Sequence, residues 1–243
     1  MTTDHTGKIT VITGAGGGIG RAIAEQLARK KMYLVLLGGN NQTKLEATRQ
    51  TVEQYTQCLV LPGDLTDLDF QQQAISKIIA QYGKIDILIN NAGMTQNAAF
   101  EQVKAEDFDK IMAINVRAPF FLTQQILPWL KKSSAATVIN ICSVVAHSGY
   151  PAQSAYSASK HALLGWTKSL AAECFRDNVR VHAISPGGVY TDMVKISRPD
   201  LSPEGMIMPE DIADIVSFIL DHRTNAVIDE IMIHRTGKEP FMV

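Results

Sequence analysis

The sequence predicts an α/β fold, a doubly wound parallel sheet of about seven strands. Short apolar runs rich in β-formers alternate with longer stretches of helical period, as in strands joined by crossover helices. The 243 residues are 46% hydrophobic and 19% charged, which is enough apolar material to cover a sheet on both faces. No stretch is long or polar enough to be a linker, so residues 1–243 read as one domain.

The first run, "KITVIT" (8–13), reads as a buried strand and passes through glycines into the helical "IGRAIAEQLARKK". "MYLVLLG" is the second strand, followed by the helix "KLEATRQTVEQY". "QCLVLPGD" is the third, and "DFQQQAISKIIAQYG" after it carries apolar residues at helical spacing. "IDILINNAG" is the fourth, "TVINICS" (137–143) the fifth, "VRVHAISPGG" (179–188) the sixth and "AVIDEIMI" (226–233) the seventh. Helices are also expected over Phe120 to Leu130 and around Tyr156. One long irregular stretch, "DMVKISRPDLSPEGMIM" (192–208), follows strand six at the carboxyl edge, where open α/β sheets bind ligands.

Composition excludes several function classes. A net charge of −1 gives no basic surface for nucleic acid or anionic lipid. No apolar run approaches the ~18 residues of a membrane span. The opening "MTTDHTGK" lacks the apolar core of a secretion signal. Cys58, Cys142 and Cys174 are scattered without metal-type spacing. No metal site is expected, and a cytoplasmic protein with reduced thiols is.

"TGAGGGIG" (13–20) lies between the first strand and the first helix. Its glycines permit a tight turn and close backbone approach, and the helix N-terminus behind it favours an anion. The spacing of Gly14, Gly18 and Gly20 is GxxxGxG, not the commoner GxGxxG. A phosphate site and a tight connection without a ligand both suit these residues.

The second half adds "SVVAHSGYPAQSAYSASK", with Ser143 ending a strand and Tyr156 and Lys160 four apart on one helix face. "TGAGGGIG", "NNAG", "IN", "S…YSASK" and "PGG" occur in the order and spacing of the short-chain dehydrogenase/reductase family. The chain resembles its single-domain branch, which includes 3-oxoacyl-[acyl-carrier-protein] reductases, hydroxysteroid dehydrogenases and carbonyl reductases. The resemblance covers nearly the whole chain. It implies a Rossmann-type sheet of strand order 3-2-1-4-5-6-7, and hydride transfer between a nicotinamide dinucleotide and a small carbonyl or secondary alcohol.

The resemblance also implies roles. Tyr156 exchanges a proton with the substrate oxygen, Lys160 favours the phenolate and holds the nicotinamide ribose, and Ser143 hydrogen-bonds the substrate oxygen. A cation about 4 Å from an anion, at an effective dielectric near 20, stabilises it by about 4 kcal/mol. Asn115 is the helix asparagine implied to anchor a water behind the lysine. The implied dinucleotide contacts begin with Gly14, Gly16, Gly17, Gly18, Ile19 and Gly20. After strand two come Gly39 and Asn40, and after strand three Asp64 and Leu65. Asn91, Ala92 and Gly93 follow strand four, with Asn90 divided between the ribose and the sheet. Tyr156 and Lys160 contribute again, and Pro186, Gly187, Val189 and Thr191 complete the set. Asp67 suits the N-cap of the third helix better than Asp64 does.

Cys142 precedes Ser143 but points to the opposite face, as a small buried hydrophobe. His147 and Tyr150 are both candidates for the substrate pocket. Met193, Met206 and Met208 bracket the irregular stretch, giving a substrate loop near 189–208. The polar, basic tail after strand seven leaves pairing through that strand in doubt. The apolar "FFLTQQILPWL" and "ALLGWTKSLAAECF" favour a homodimer or homotetramer through those helices.

"LLGGNNQTK" occupies the position that separates the two nicotinamide cofactors. No acid ends strand two to bind the ribose hydroxyls, and the first one downstream is Glu46. The customary arginines for a 2′-phosphate are absent too, with Gly17 and Gly39 in their places. Asn40, Asn41 and Lys44 remain as donors, so the expectation leans to NADP over NAD. A 3-oxoacyl thioester reductase, using Arg117, Arg176 and Lys195 for an acidic carrier, is the alternative within the family. A non-catalytic dinucleotide-binding regulator is the alternative outside enzymology.

Overall fold

The computed structural model describes residues 4–39, 41–197 and 202–239. Their strands are β1 (Ile9–Thr13), β2 (Tyr33–Leu37), β3 (Cys58–Leu61), β4 (Ile87–Asn90), β5 (Thr137–Ile141), β6 (Arg180–Pro186) and β7 (Glu230–Ile233). All seven pair in parallel in the expected order 3-2-1-4-5-6-7. The helices are α1 (Gly18–Arg29), α2 (Gln42–Val52), α3 (Leu68–Tyr82), α4 (Ala105–Met112), α5 (Ala118–Leu130), α6 (Ser154–Cys174), α7 (Asp192–Ser197) and α8 (Pro209–Asp221).

Successive strand residues face opposite ways, so β1 to β6 feed both faces, while the edge strand β7 packs on one through Ile231 and Ile233. Ile12, Leu36, Ile89, Ile139 and Ile184 pack on the α1 and α8 side, while Val11, Val35, Leu88, Val138 and Val181 pack on the α3 and α5 side. Burial on both faces is why these runs are apolar throughout. Asn90 is one of several buried polar exceptions, among them Asn140, His182 and Ser185, and the sheet uses it. Its Nδ2 donates to Asn140 Oδ1 at 2.8 Å and to Thr123 Oγ1 at 3.0 Å, and Asn140 Nδ2 donates to Thr167 Oγ1 at 2.7 Å. This chain of amides and hydroxyls fixes α5, β4, β5 and α6 just below the carboxyl edge.

Two sequence expectations need adjusting, and one connection was not anticipated. Strands three and seven are shorter than drawn, with β3 stopping before Pro62 and β7 starting at Glu230. Proline lacks the N–H that a ladder requires. The stretch 192–208 is not wholly irregular, because Asp192–Ser197 is helical, with Asp192 in its first turn and 3.6 Å from Lys195. Further on, Ile207 bridges in parallel to Val189. Finally, a wide π turn, Ala113–Arg117, joins α4 to α5. Among the described residues, no helix is long and apolar enough to cross a membrane, and no His, Cys, Asp and Glu group could hold a metal ion.

Candidate active site

A cleft of about 630 Å³ opens along the carboxyl edge of the sheet. Its first wall is the glycine turn between β1 and α1. Gly14 has φ +67°, and a Cβ there would lie 2.9 Å from Ala92 Cα; one on Gly20 would lie 2.4 Å from Gly14 O. These two glycines let the turn close against itself and against the β4 loop. Gly16 backs onto Lys44, with 3.2 Å from an added Cβ to Lys44 Cβ. Gly17 differs, because a Cβ there meets nothing within 4 Å. It is the N-cap of α1 with no side-chain cap, and the helix has no acid in its first turn. Gly14, Gly17, Gly18 and Ile19 line the cleft, whereas Gly20 is buried behind it. Open N–H groups at the positive end of a helix, with free space before them, fit a diphosphate.

Gly39, Asp64, Leu65, Asn91, Ala92 and Gly93 continue this wall. Asp64 Oδ1 accepts from Thr66 N and Oγ1, both at 2.8 Å, and Asp67 caps α3 as expected. Asn91 Nδ2 donates to Thr13 O at 3.0 Å and Gly14 O at 3.2 Å, fastening the β4 loop to the turn. Asn40 lies outside the described residues. Asn41 caps α2, its Oδ1 accepting from Lys44 N at 3.0 Å, which leaves its Nδ2 as the donor. Lys44 lines the cleft and pairs with Asp192 Oδ2 at 3.1 Å. The hydrogen bond from Lys44 holds the Asp192 carboxyl below the usual value.

At the other end stand the four residues of the sequence motif. Ser143 closes β5, its Oγ donating to Pro186 O at 3.3 Å and accepting from Val145 N at 3.3 Å. Tyr156 stands half-buried in the first turn of α6, facing the cleft. Lys160, one turn on, is buried, donates to Ile141 O at 2.9 Å, and holds Nζ 5.7 Å from the Tyr156 ring centroid. Asn115 is also buried but does not line the cleft. It sits in the π turn, a feature that often marks functional sites. Its Oδ1 accepts from Met94 N at 2.8 Å, and its Nδ2 donates to Met94 O at 2.9 Å and Ser159 Oγ at 3.0 Å. Ser159 Oγ in turn donates to Tyr156 O at 2.7 Å. One amide thus ties the β4 loop to the tyrosine's own turn.

Pro186, Gly187, Val189 and Thr191 line the cleft after β6, where Thr191 Cγ2 lies 3.1 Å from a Cβ built on Gly18. Tyr150, Gln153 and Met206 also line the cleft. His147 does not, because Glu230 draws its Nε2 to 2.6 Å. Met208 is exposed at the start of α8, and the Met193 side chain lies outside the described residues. Cys142 is buried, and burial pushes its thiol up to about 12, which leaves it a poor nucleophile.

Sequence reasoning missed several members. Gln96 Oε1 accepts from Ala155 N at 2.9 Å and so caps α6 from 59 residues upstream; a lone glutamine in a loop carries no signal for that. Ser159 and the Lys44–Asp192 pair were equally silent. His234, Arg235 and Lys238 also line the cleft. The basic tail was visible, and its place follows from β7 being parallel to β6, which delivers the next residues to the same edge.

Residues 8–202 match the short chain dehydrogenase family. The chain belongs to that family. A 3-oxoacyl-[acyl-carrier-protein] reductase of Rickettsia bellii is 35% identical over 96% of this chain and 97% of its own. A 3alpha-hydroxysteroid dehydrogenase of Mediterraneibacter gnavus is 33% identical over 93% of this chain and 94% of its own. Among solved structures, a short chain dehydrogenase from Shigella flexneri complexed with NADP superposes with a TM-score of 0.87 at 30% identity, covering 95% of this chain and 98% of that one. This short-chain dehydrogenase is an NAD(P)-dependent oxidoreductase acting on alcohol or carbonyl groups.

Proposed function

We propose that Tyr156 is the acid and base of the reaction, Lys160 and Ser143 its electrostatic support, and Asn115 a positioning residue. The observation that carries this reading is Lys160, buried one turn from Tyr156 with Nζ 5.7 Å from its ring centroid. When bound, the nicotinamide supplies or accepts the hydride. In reduction, Tyr156 Oη gives its proton to the substrate oxygen, and in oxidation it takes one back. The Lys160 ammonium, with one donor on Ile141 O, favours the phenolate. Ser143 Oγ turns from Pro186 O, a long 3.3 Å bond, to the substrate oxygen as charge develops there. Asn115 keeps the β4 loop and the first turn of α6 in register. The test is Tyr156→Phe, expected to lower kcat by about 10²–10⁴-fold with dinucleotide affinity retained; unchanged turnover would falsify the assignment.

The chain works as one dinucleotide-binding domain with a substrate loop over 189–208 and uses NADP in preference to NAD. Gly38 and Gly39 follow β2 with no acid, and Lys44 stands in the cleft beyond them. A preference for NADH of about tenfold or more in kcat/KM, worth about 1.4 kcal/mol, overturns that choice. Exposed Phe120 stacks edge-on with Phe121 and Trp166 across α5 and α6, which supports a homodimer or homotetramer through these helices. Three free cysteines suit a cytoplasmic setting.

The names of relatives such as the Rickettsia bellii protein favour a second reading, reduction of 3-oxoacyl thioesters on a carrier. Of the three cations expected to bind that carrier, Arg176 stands apart from Lys195. Arg176 follows α6 at the amino edge of the sheet, and Lys195 is in α7 at the carboxyl edge. Acetoacetyl thioesters assayed against small ketones separate the two readings.

A further inference from the structure

We propose that the substrate is an anionic carbonyl compound, or the matching alcohol, whose carboxylate or phosphate is held by Arg235 and Lys238. This deepens the oxidoreductase reading and rests on it.

The two ends of the cleft differ in charge. Its lining carboxylates are Asp64 and Asp192. Asp64 is turned into Thr66 beyond β3, and Asp192 is neutralised by Lys44, so both belong to the dinucleotide end. Glu230, at the start of β7, is not in the lining and is taken up by His147 and Ser185. The substrate end holds Tyr150, Gln153 and Met206 together with Arg235 and Lys238.

These two cations reach the substrate end by construction. Pro186 and Ile233 are register partners, and Gly187 N donates to Ile233 O at 2.8 Å, so the tail leaves the sheet beside the loop that follows β6. A Cβ on Gly188 would lie 3.6 Å from Arg235 Cδ, and Ser143 bonds to Pro186 O two residues earlier. Arg235 is therefore next to the strand end that holds Ser143. Lys238 approaches from the other side, its Nζ 5.8 Å from the Tyr150 ring centroid.

The fold itself makes little use of either charge. Among the described residues, neither cation meets a carboxylate. Arg235 Nη1 has only the Met206 sulfur at 3.1 Å, a weak acceptor. A half-buried guanidinium with unfilled donors presents a fork matched to carboxylate or phosphate. Two cations with no counter-ion among the described residues, at the mouth of a cleft, also draw in anions and repel other cations. A neutral ketone would leave both charges unanswered.

The test compares 2-, 3- and 4-oxo acids with their methyl esters, and dihydroxyacetone phosphate with dihydroxyacetone, each with NADPH. In at least one pair, the anion is expected to exceed its neutral partner in kcat/KM by about tenfold or more. Arg235→Gln should erase most of that ratio through KM for the anion, and the exposed Lys238→Gln part of it. Equal or better turnover of the neutral partner in every pair overturns the proposal, as does an equal loss for both partners. Loss of NADPH affinity in Arg235→Gln overturns it too, by assigning the cations to the dinucleotide. So does turnover of an acetoacetyl carrier protein that depends on Arg235 while acids and esters are not distinguished. If no carbonyl turns over, the catalytic reading fails separately. Calorimetry of 4-oxopentanoate and dihydroxyacetone phosphate on the NADP-loaded protein then decides: binding lost in Arg235→Gln sustains the anion site, and absence of binding removes it.

Discussion

At one end the cleft wall is largely main chain, with Gly14, Gly17 and Gly18 in the lining and open space before Gly17 at the start of α1. Elsewhere it is side chain, with Tyr150, Met206, Arg235 and Lys238 brought in by three separate segments. A surface of bare backbone recognises what all dinucleotides share, namely a diphosphate and its geometry. A surface of side chains recognises what distinguishes one substrate from another. The difference explains why the family is easy to read here and the substrate is not.

Two glycine variants give the sharpest test of the first wall. In Gly20→Ala the added Cβ meets a carbonyl at 2.4 Å, backbone against backbone. Overpacking of this kind costs about 1–3 kcal/mol, and denaturant titration should show it along with lost dinucleotide binding. In Gly17→Ala the backbone is extended at φ −176° and the Cβ enters open space. Stability should hold or rise by about 0.4–1 kcal/mol, while dinucleotide affinity falls. If both variants bind NADPH normally, the wall is not where the diphosphate lies.

The second wall is tested by Gln96→Ala, which removes the cap from Ala155 N without touching the glycines. A lost cap costs about 1 kcal/mol, and the freed first turn of α6 should lower kcat more than it raises KM. An equal effect on NADPH affinity would mean that the two ends are not independent. The smallest effect belongs to the exposed pair that spans them. Asp192→Asn frees Lys44, and because such pairs are worth about 0–1 kcal/mol, the NADPH-to-NADH ratio in kcat/KM should rise by only a few-fold. A fall would place Lys44 away from the 2′-phosphate.

The contrast also marks what could be read without coordinates. The alternation of apolar runs and helical segments predicted all seven strands, because a strand buried on both faces must be apolar wherever it occurs. The glycine turn and the Ser143, Tyr156 and Lys160 set were legible because their chemistry needs fixed residue types at fixed spacing. Asn90 was divided between two roles, and the structure put it in the sheet, bonded to Asn140 and Thr123. Asn115 was expected in the site from its motif, but nothing in the chain signalled that its amide reaches Met94 and Ser159 while staying out of the cleft.

The chain's own residues were enough for the sheet and for the place of the turn, since period and glycine content are local properties of a chain. The tertiary structure was needed to show that Gln96 caps α6, that Asp192 answers Lys44 from 148 residues away, and that Arg235 and Lys238 line the same cleft as Tyr156. Those meetings are set by which strand ends lie side by side. A parallel sheet brings all its carboxyl ends to one edge, however far apart the residues are in the chain.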